Sequence, residues 1–211
     1  AVGYRLADSA GGRFAIDRIT GVVTVGNGAL LDHEAAASHR IVVRAVDRYG
    51  DFVDRAFAIA VNDRNEPPGA ILDLDAGANL VAENAAPGST AGITARAVDP
   101  DGDVLTYSLV DDAGDRFVID PASGIVRVAA GAALDHEAAA LEQIRVRATD
   151  GQGLASEQSF AIAVTDVNEA PTALADRDPS ADEVLESAGA GATVGITVSA
   201  TAPVIDEHTA A

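Results

Sequence analysis

An all-β fold of tandem Greek-key antiparallel β-sandwiches, with seven strands per repeat, is predicted by three features of this 211-residue sequence. Residues 4–68 align without a gap onto residues 107–171, with about half the positions identical, so the chain repeats itself at the spacing of one domain. Apolar residues alternate with polar ones at period two: Ile144, Val146 and Ala148 with Arg145, Arg147 and Thr149, then Phe160, Ile162 and Val164 with Ala161, Ala163 and Thr165. Clusters of Asp, Gly and Pro separate these runs, as the turns of a sandwich require.

In chain order, the second repeat predicts strands over residues 90–97, 105–109, 116–119 and 124–128, followed by the two alternating segments above. The Ala-rich stretch 137–142 is long enough for a helical turn and too short for a free-standing helix. The repeat recurs as landmarks: Arg13-Phe14-Ala15-Ile16-Asp17 with Arg116-Phe117-Val118-Ile119-Asp120, Leu31-Asp32-His33-Glu34 with Leu134-Asp135-His136-Glu137, and Asn65-Glu66 with Asn168-Glu169. The same shift carries Glu83 and Gly92-Ile93-Thr94 onto Glu186 and Gly195-Ile196-Thr197. Three segments follow: 1–68, a repeat without its first strands; 69–171, a complete repeat; and 172–211, the opening strands of a third, truncated repeat or a disordered tail. Tyr4, Tyr107, Phe14, Phe117, Phe57 and Phe160 occupy matched positions and are expected in the cores.

Composition narrows the function. There are 33 acidic residues against 14 basic ones, all Arg, for a formal charge of −19. Such a surface repels nucleic acid and anionic lipid and attracts divalent cations. No apolar run approaches the ~18 residues of a membrane-spanning helix, so a soluble segment without direct membrane insertion is expected. The chain has no Cys, hence neither disulfides nor Cys-ligated metal. A start at Ala1 without a leader reads as a segment of something longer.

The carboxylates cluster outside the predicted strands. Asp32 and Glu34 share one loop, Asp63, Asn65 and Glu66 stand before Pro67-Pro68, and Asp99, Asp101 and Asp103 alternate in a Gly/Pro turn. Alternating acidic residues in a turn can aim several oxygens at one point. Ca2+, which takes 6 to 8 oxygen ligands, suits that pattern better than Mg2+ or a transition metal. His33, His39, His136 and His208 lack metal-site spacing and are expected as exposed polar side chains.

Several motifs in the right order now resemble one family. Leu134-Asp135-His136-Glu137 resembles the L-D-R-E loop of cadherin repeats, Asp166-Val167-Asn168-Glu169-Ala170-Pro171 their D-x-N-D-N-A-P linker, and Asp99-Pro100-Asp101 their D-x-D pair. Ala148-Thr149-Asp150-Gly151 is similar to their late A-x-D-x-G turn. The chain therefore resembles tandem cadherin repeats, of the bacterial cadherin-like kind found in large surface or secreted proteins.

The resemblance implies calcium between successive repeats. At the first junction the ligands would be Asp32, Glu34, Asn65, Glu66, Asp99, Asp101 and Asp150, with Asp103 through its main-chain oxygen and Asp63 as part of the motif. At the second they would be Glu83, Asp135, Glu137, Asn168 and Glu169, with Asp166 as the motif residue. There the third segment places Ala202 and Val204 where the D-x-D pair belongs. Both linkers depart from the family, with Glu66 and Glu169 in place of Asp and Pro67 and Ala170 in place of Asn. His33 and His136 stand where Arg is usual, which adds mild pH sensitivity.

The function implied is a calcium-binding cell-surface or extracellular adhesion or spacer module, in which linker calcium stiffens the array. Its partners would be calcium, neighbouring repeats, and a cell-surface protein or glycan. The other class compatible with the sequence is a calcium-independent accessory or carbohydrate-binding sandwich of a larger secreted protein. An enzyme is not expected: Lys, a Cys nucleophile and a Gly-x-Ser-x-Gly elbow are all absent, and nothing aromatic forms a sugar cleft beside a paired acid.

Overall fold

The computed structural model describes residues 2–168 and 175–200. It is built of β-strands, with one short 3₁₀ turn at Gly28–Leu30 among the described residues. The chain divides into two compact units: residues up to 69 with 98–105 and 149–155, and the remainder.

In the first unit β1 (Gly3–Asp8), β4 (Ser38–Val46) and β5 (Phe52–Ala60) form an antiparallel sheet in the order β1-β4-β5, and β2 (Phe14–Ile16) pairs with β3 (Val23–Val25) as a hairpin. The β4–β5 register runs from Val46 opposite Phe52 to Ser38 opposite Ala60. Asp47 closes that hairpin, because its Oδ1 accepts the Tyr49 and Asp51 amides at 2.8 and 3.0 Å. Phe14 and Ile41 are buried. Phe57, expected in the core, is 44 % exposed: the described residues put no strand beyond β5, so its inner face is open.

The second unit holds β6 (Leu72–Asp73), β7 (Leu80–Ala82), β8 (Thr90–Arg96), β9 (Thr106–Asp111), β10 (Phe117–Ile119), β11 (Ile125–Val128), β12 (Leu141–Thr149) and β13 (Ala155–Thr165). Two four-stranded sheets, β10-β11-β8-β6 and β7-β13-β12-β9, make the sandwich. Side chains alternate inward as period two demands, so Ala91, Ile93 and Ala95 of β8 are buried against Phe117, Val126, Ile144, Val146 and Ile162. The opening strand is broken, with β6 in one sheet and β7, parallel to β13, in the other. Asp73 and Asp75 make the break, each accepting the amide two residues on at 2.9 and 2.8 Å. Gly92 has φ +73° where the chain crosses this break, and a Cβ there would lie 2.2 Å from the Ala78 carbonyl oxygen. The Ala-rich stretch contains a single helical turn, with the Ala139 amide donating to Asp135 O at 2.9 Å.

Farther on, β14 (Ala175–Asp176) pairs antiparallel with β15 (Val198–Ser199). The Asp176 carboxylate accepts the Thr197 amide at 2.9 Å, as Asp73 accepts that of Thr94 at 3.0 Å. Gly195 repeats Gly92, with φ +74° and a carbonyl oxygen 2.3 Å from its ideal Cβ.

Candidate metal centre

The acidic cluster of the first unit is assembled from four stretches far apart in sequence. Turn chemistry sets each one. The Asp32 carboxylate accepts the Ala35 amide at 2.7 Å and shapes the loop that presents Glu34. His33 pins this loop, its Nδ1 lying 2.8 Å from the Val61 carbonyl, and His136 does the same with Val164 at 2.7 Å. Both rings are half-buried, as is His39, so the expectation of exposed histidines fails for all three; His208 lies outside the described residues. For His33 and His136 the reason is local, since an imidazole N–H reaches a strand-end carbonyl, while the His39 ring packs edge-on against Phe14 with centroids 6.3 Å apart. The carbonyl of Val61 raises the pKa of His33 above its ordinary value against the effect of burial, helped by Asp63, Glu34 and Asp101.

One carboxylate oxygen from each of Glu34, Asp63, Glu66 and Asp101 lies within 4.8 Å of the others. Asp101 is drawn in by the linker backbone, its Oδ2 accepting the Glu66 amide at 2.9 Å. Asp99 is not a solvated turn residue but only 5 % exposed. Its Oδ1 caps the turn by accepting the Asp101 and Asp103 amides at 3.0 and 3.4 Å. Asp150, also buried, accepts the Gln152 and Leu154 amides through Oδ1 and the Asn65 side-chain amide through Oδ2 at 2.7 Å. Burial pushes the Asp150 pKa up, but hydrogen bonds from Asn65, Leu154, Gly153 and Gln152 outweigh it and hold the group below the usual carboxylate range. Glu66 goes the other way: burial, then the charges of Asp101, Glu34 and Asp63, push its carboxyl up.

The buried side-chain oxygens without a donor among the described residues fall on Asn65, Glu66, Asp99, Asp101 and Asp103. On Asn65, Asp99 and Asp101 the other polar atom is the one that holds the chain, so the fold uses half of each group and leaves an acceptor over. An unpaired buried acceptor costs free energy, and clustered carboxylates repel. A bound hard cation resolves both problems, and five orphan acceptors with several carboxylates match the all-oxygen preference of Ca2+. The residues fit the ion. Asp103 offers a side-chain oxygen, where its main chain is expected, and Asp63, expected as part of the motif, joins the four-carboxylate group. Asp32 does not enter the four-carboxylate group.

In the second unit Glu83, Asp135 and Glu137 bring three oxygens within 4.8 Å of one another. Glu83 is already engaged, its Oε2 accepting the His136 amide at 2.8 Å and its Oε1 the Val167 amide at 2.6 Å. Asp135 Oδ1 accepts the Ala138 amide at 2.9 Å. Asp166 and Asn168 are not in this group. Glu169, Ala202 and Val204 lie outside the described residues.

Fold and repeats together define a tandem β-sandwich protein. No protein-family model matches the chain. Among curated proteins it is 32 % identical to Cadherin-related family member 2 of Homo sapiens over 160 residues, covering 70 % of this chain and 12 % of that protein. It is 31 % identical to Cadherin-23 of Rattus norvegicus over 182 residues, covering 80 % of this chain and 5 % of that protein. Among solved structures, Protocadherin Gamma B7 extracellular cadherin domains 1–4 matches with TM-score 0.62 and 25 % identity, over 93 % of this chain and 49 % of that one. Human Protocadherin-24 EC1-2 shares the fold at TM-score 0.57 and 22 % identity, over 79 % and 82 % of the two chains. The chain is built of tandem cadherin-like repeats. It spans a small fraction of the length of these curated relatives. They are animal proteins, and the bacterial subclass expected from the sequence gains no support from them.

Proposed function

We propose that the chain is a stretch of an extracellular or cell-surface adhesion or spacer module whose first linker binds Ca2+. Asn65, Glu66, Asp99, Asp101 and Asp103 hold the ion with Glu34, Asp63 and Asp150 around them, and Asp32 shapes the loop. The observation that carries this reading is the set of five buried oxygens without donors among the described residues, all on residues of the linker or the Asp99–Asp103 turn. Calcium supplies positive charge at the point where these oxygens converge, and so ties the linker to two turns that follow it by 35 and 85 residues. That tie stiffens the tandem array. In this reading 1–68 is a repeat without its first strands, 69–171 a complete repeat, and 172–211 the opening strands of a third, truncated repeat or a disordered tail. Glu83, Asp135 and Glu137, with Asp166, Asn168 and Glu169, form the near half of an equivalent second site. No catalytic role is assigned to any carboxylate. The sugar-binding alternative rests on less: the exposed rings of Tyr49 and Phe52 each carry an arginine guanidinium, at 4.5 and 3.7 Å.

Isothermal calorimetry with Ca2+ and Mg2+ tests the reading, with small-angle scattering on the same sample. Calcium should bind at roughly 10⁻⁴ to 10⁻³ M, the range of extracellular modules, with magnesium far weaker. Scattering that shows equal flexibility with calcium and with chelator would leave only the calcium-independent alternative.

A further inference from the structure

The histidine of each Leu-Asp-His-Glu loop stands where the resembled motif has arginine, and the fold gives both rings the same kind of backbone partner. The Nδ1 of His33 lies 2.8 Å from the Val61 carbonyl, which can only accept, so Nδ1 carries a proton and the lone pair of the neutral ring is left on Nε2. A ring oriented through one nitrogen by a carbonyl, with the other nitrogen available, is the form in which histidine binds metal. The two loops then part. A ring nitrogen of His33 and one carboxylate oxygen each of Glu34 and Asp63 lie within 4.8 Å of one another. Around the second loop, among the described residues, the group at that spacing is Glu83, Asp135 and Glu137, three carboxylates without a histidine. Sequence neighbours alone give His33 no metal-site spacing; its third partner, Asp63, arrives from beyond the end of β5.

A difference in donors is a difference in metal. Oxygens alone suit Ca2+, whereas one imidazole with two carboxylates suits an ion of the Zn2+ class. Zinc takes histidine nitrogen and carboxylate oxygen at about 2.0–2.2 Å, so tetrahedral ligands stand roughly 3.4 Å apart. Glu34 and Asp63 are exposed, and a turn of their side chains closes the spacing to that value. Half-buried His33 supplies the ligand whose direction the backbone already sets, and water takes the fourth position.

We propose that His33, Glu34 and Asp63 form a site for a divalent transition metal of the zinc class, and that this ion and calcium exclude each other. The exclusion rests on the calcium reading above, because Glu34 and Asp63 also belong to the group with Glu66 and Asp101. A carboxylate turned toward zinc and His33 is withdrawn from calcium, and two divalent ions held by the same pair of carboxylates repel. The coupling is reciprocal by linkage: zinc lowers calcium affinity by the same factor as calcium lowers zinc affinity.

Calorimetry with Zn2+ on the full chain in calcium-free buffer tests the site without reference to calcium. Zinc should bind, and NMR of the imidazole nitrogens should show the His33 Nε2 signal displaced while Nδ1 keeps its proton. His33→Arg should weaken zinc by at least the 10- to 100-fold or so that losing a ligand's orienting partner costs. His136→Arg should leave zinc affinity unchanged, since no histidine joins the second group. Glu34→Gln and Asp63→Asn keep the His33 bond to Val61, so each should weaken zinc while the zinc-free chain still unfolds cooperatively. Zinc affinity unaltered by His33→Arg, or zinc-induced shifts confined to other histidines, overturns the site. Repeating the zinc titration in saturating Ca2+ should show affinity at least about tenfold lower. Equal zinc affinity with and without calcium overturns the exclusion. Zinc binding in a chain that calorimetry finds unable to bind calcium overturns the calcium reading and the exclusion with it, and supports the site.

Discussion

The Asn65 side-chain amide donates to the Asp150 carboxylate at 2.7 Å, although 85 residues separate the two in sequence. Asn65 belongs to the linker after the first β-hairpin sheet, and Asp150 to the turn between β12 and β13. The bond orients the Asn65 amide, so that Oδ1 is the atom left without a donor among the described residues. A linker held this way is already aligned, which would lower the ordering cost of binding the proposed ion.

Asn65→Ala should raise the Asp150 pKa, because it removes the first of the hydrogen bonds that outweigh burial there. The sign for stability follows from linkage: a depressed carboxylate contributes stability above its unfolded pKa and loses it as pH falls through the folded value. The variant should lose part of that contribution at neutral pH and show a shallower acid transition. Titration of the Asp150 carboxyl carbon by NMR checks this; an unchanged midpoint contradicts the assigned role.

Asp99→Asn and Asp99→Ala should differ in kind. Asn keeps the Oδ1 acceptor that caps the turn but loses the charge, so folding in chelator should be nearly unchanged while calcium affinity falls about tenfold, or about 1.4 kcal/mol. Ala loses two turn hydrogen bonds as well and should cost roughly 1–2 kcal/mol even without calcium. Thermal unfolding in chelator and in excess calcium separates the two effects. At a hundredfold excess over Kd, calcium should stabilise the parent chain by about 2.7 kcal/mol per site.

Glu66→Gln should stabilise the chelated protein near neutral pH and weaken its response to calcium. Burial and three neighbouring carboxylates raise the folded pKa of Glu66, so its ionised form is disfavoured in the fold. Stability in chelator is therefore lost as pH rises from the ordinary Glu range through the raised value, and Gln removes that slope. Unfolding temperature against pH for both chains gives the answer. A glutamine variant less stable than the parent in chelator contradicts the clustered-charge account.

Val128→Ala and Val25→Ala compare one residue type at one position of two units. Val128 is fully packed, so losing two methylene equivalents should cost roughly 2 kcal/mol. Val25 is exposed, and its truncation should stay within about 0.5 kcal/mol. Denaturant unfolding of both variants makes the comparison.

Much of the architecture was legible because the responsible signals are local. Period two in 144–149 and 160–165 appears as β12 and β13, and the Asp-rich punctuation appears as side-chain-capped turns at Asp17, Asp47 and Asp120. The break between β6 and β7 escaped, since two short runs around Asp73 and Asp75 carry too few residues to show a period. Phe57 was misplaced for the opposite reason: its residue type and matched position suggest a core side chain, but burial depends on covering elements that residue type does not report, and its match Phe160 is only half-buried as well. The pinning role of His33 escaped as well, although its recurrence as His136 at the same offset from Val164 was a usable signal.

By itself the sequence determined the repeat, the strand periodicity and the carboxylates that gather at the linker, because composition and spacing act over a few residues. Tertiary structure alone decided that Asp99 is buried, that Asp101 turns one oxygen to the Glu66 amide and keeps the other free, and that Asn65 reaches Asp150. Those facts depend on segments 35 and 85 residues apart arriving at one place, and a carboxylate's two oxygens are identical until a neighbour from elsewhere in the chain makes them different.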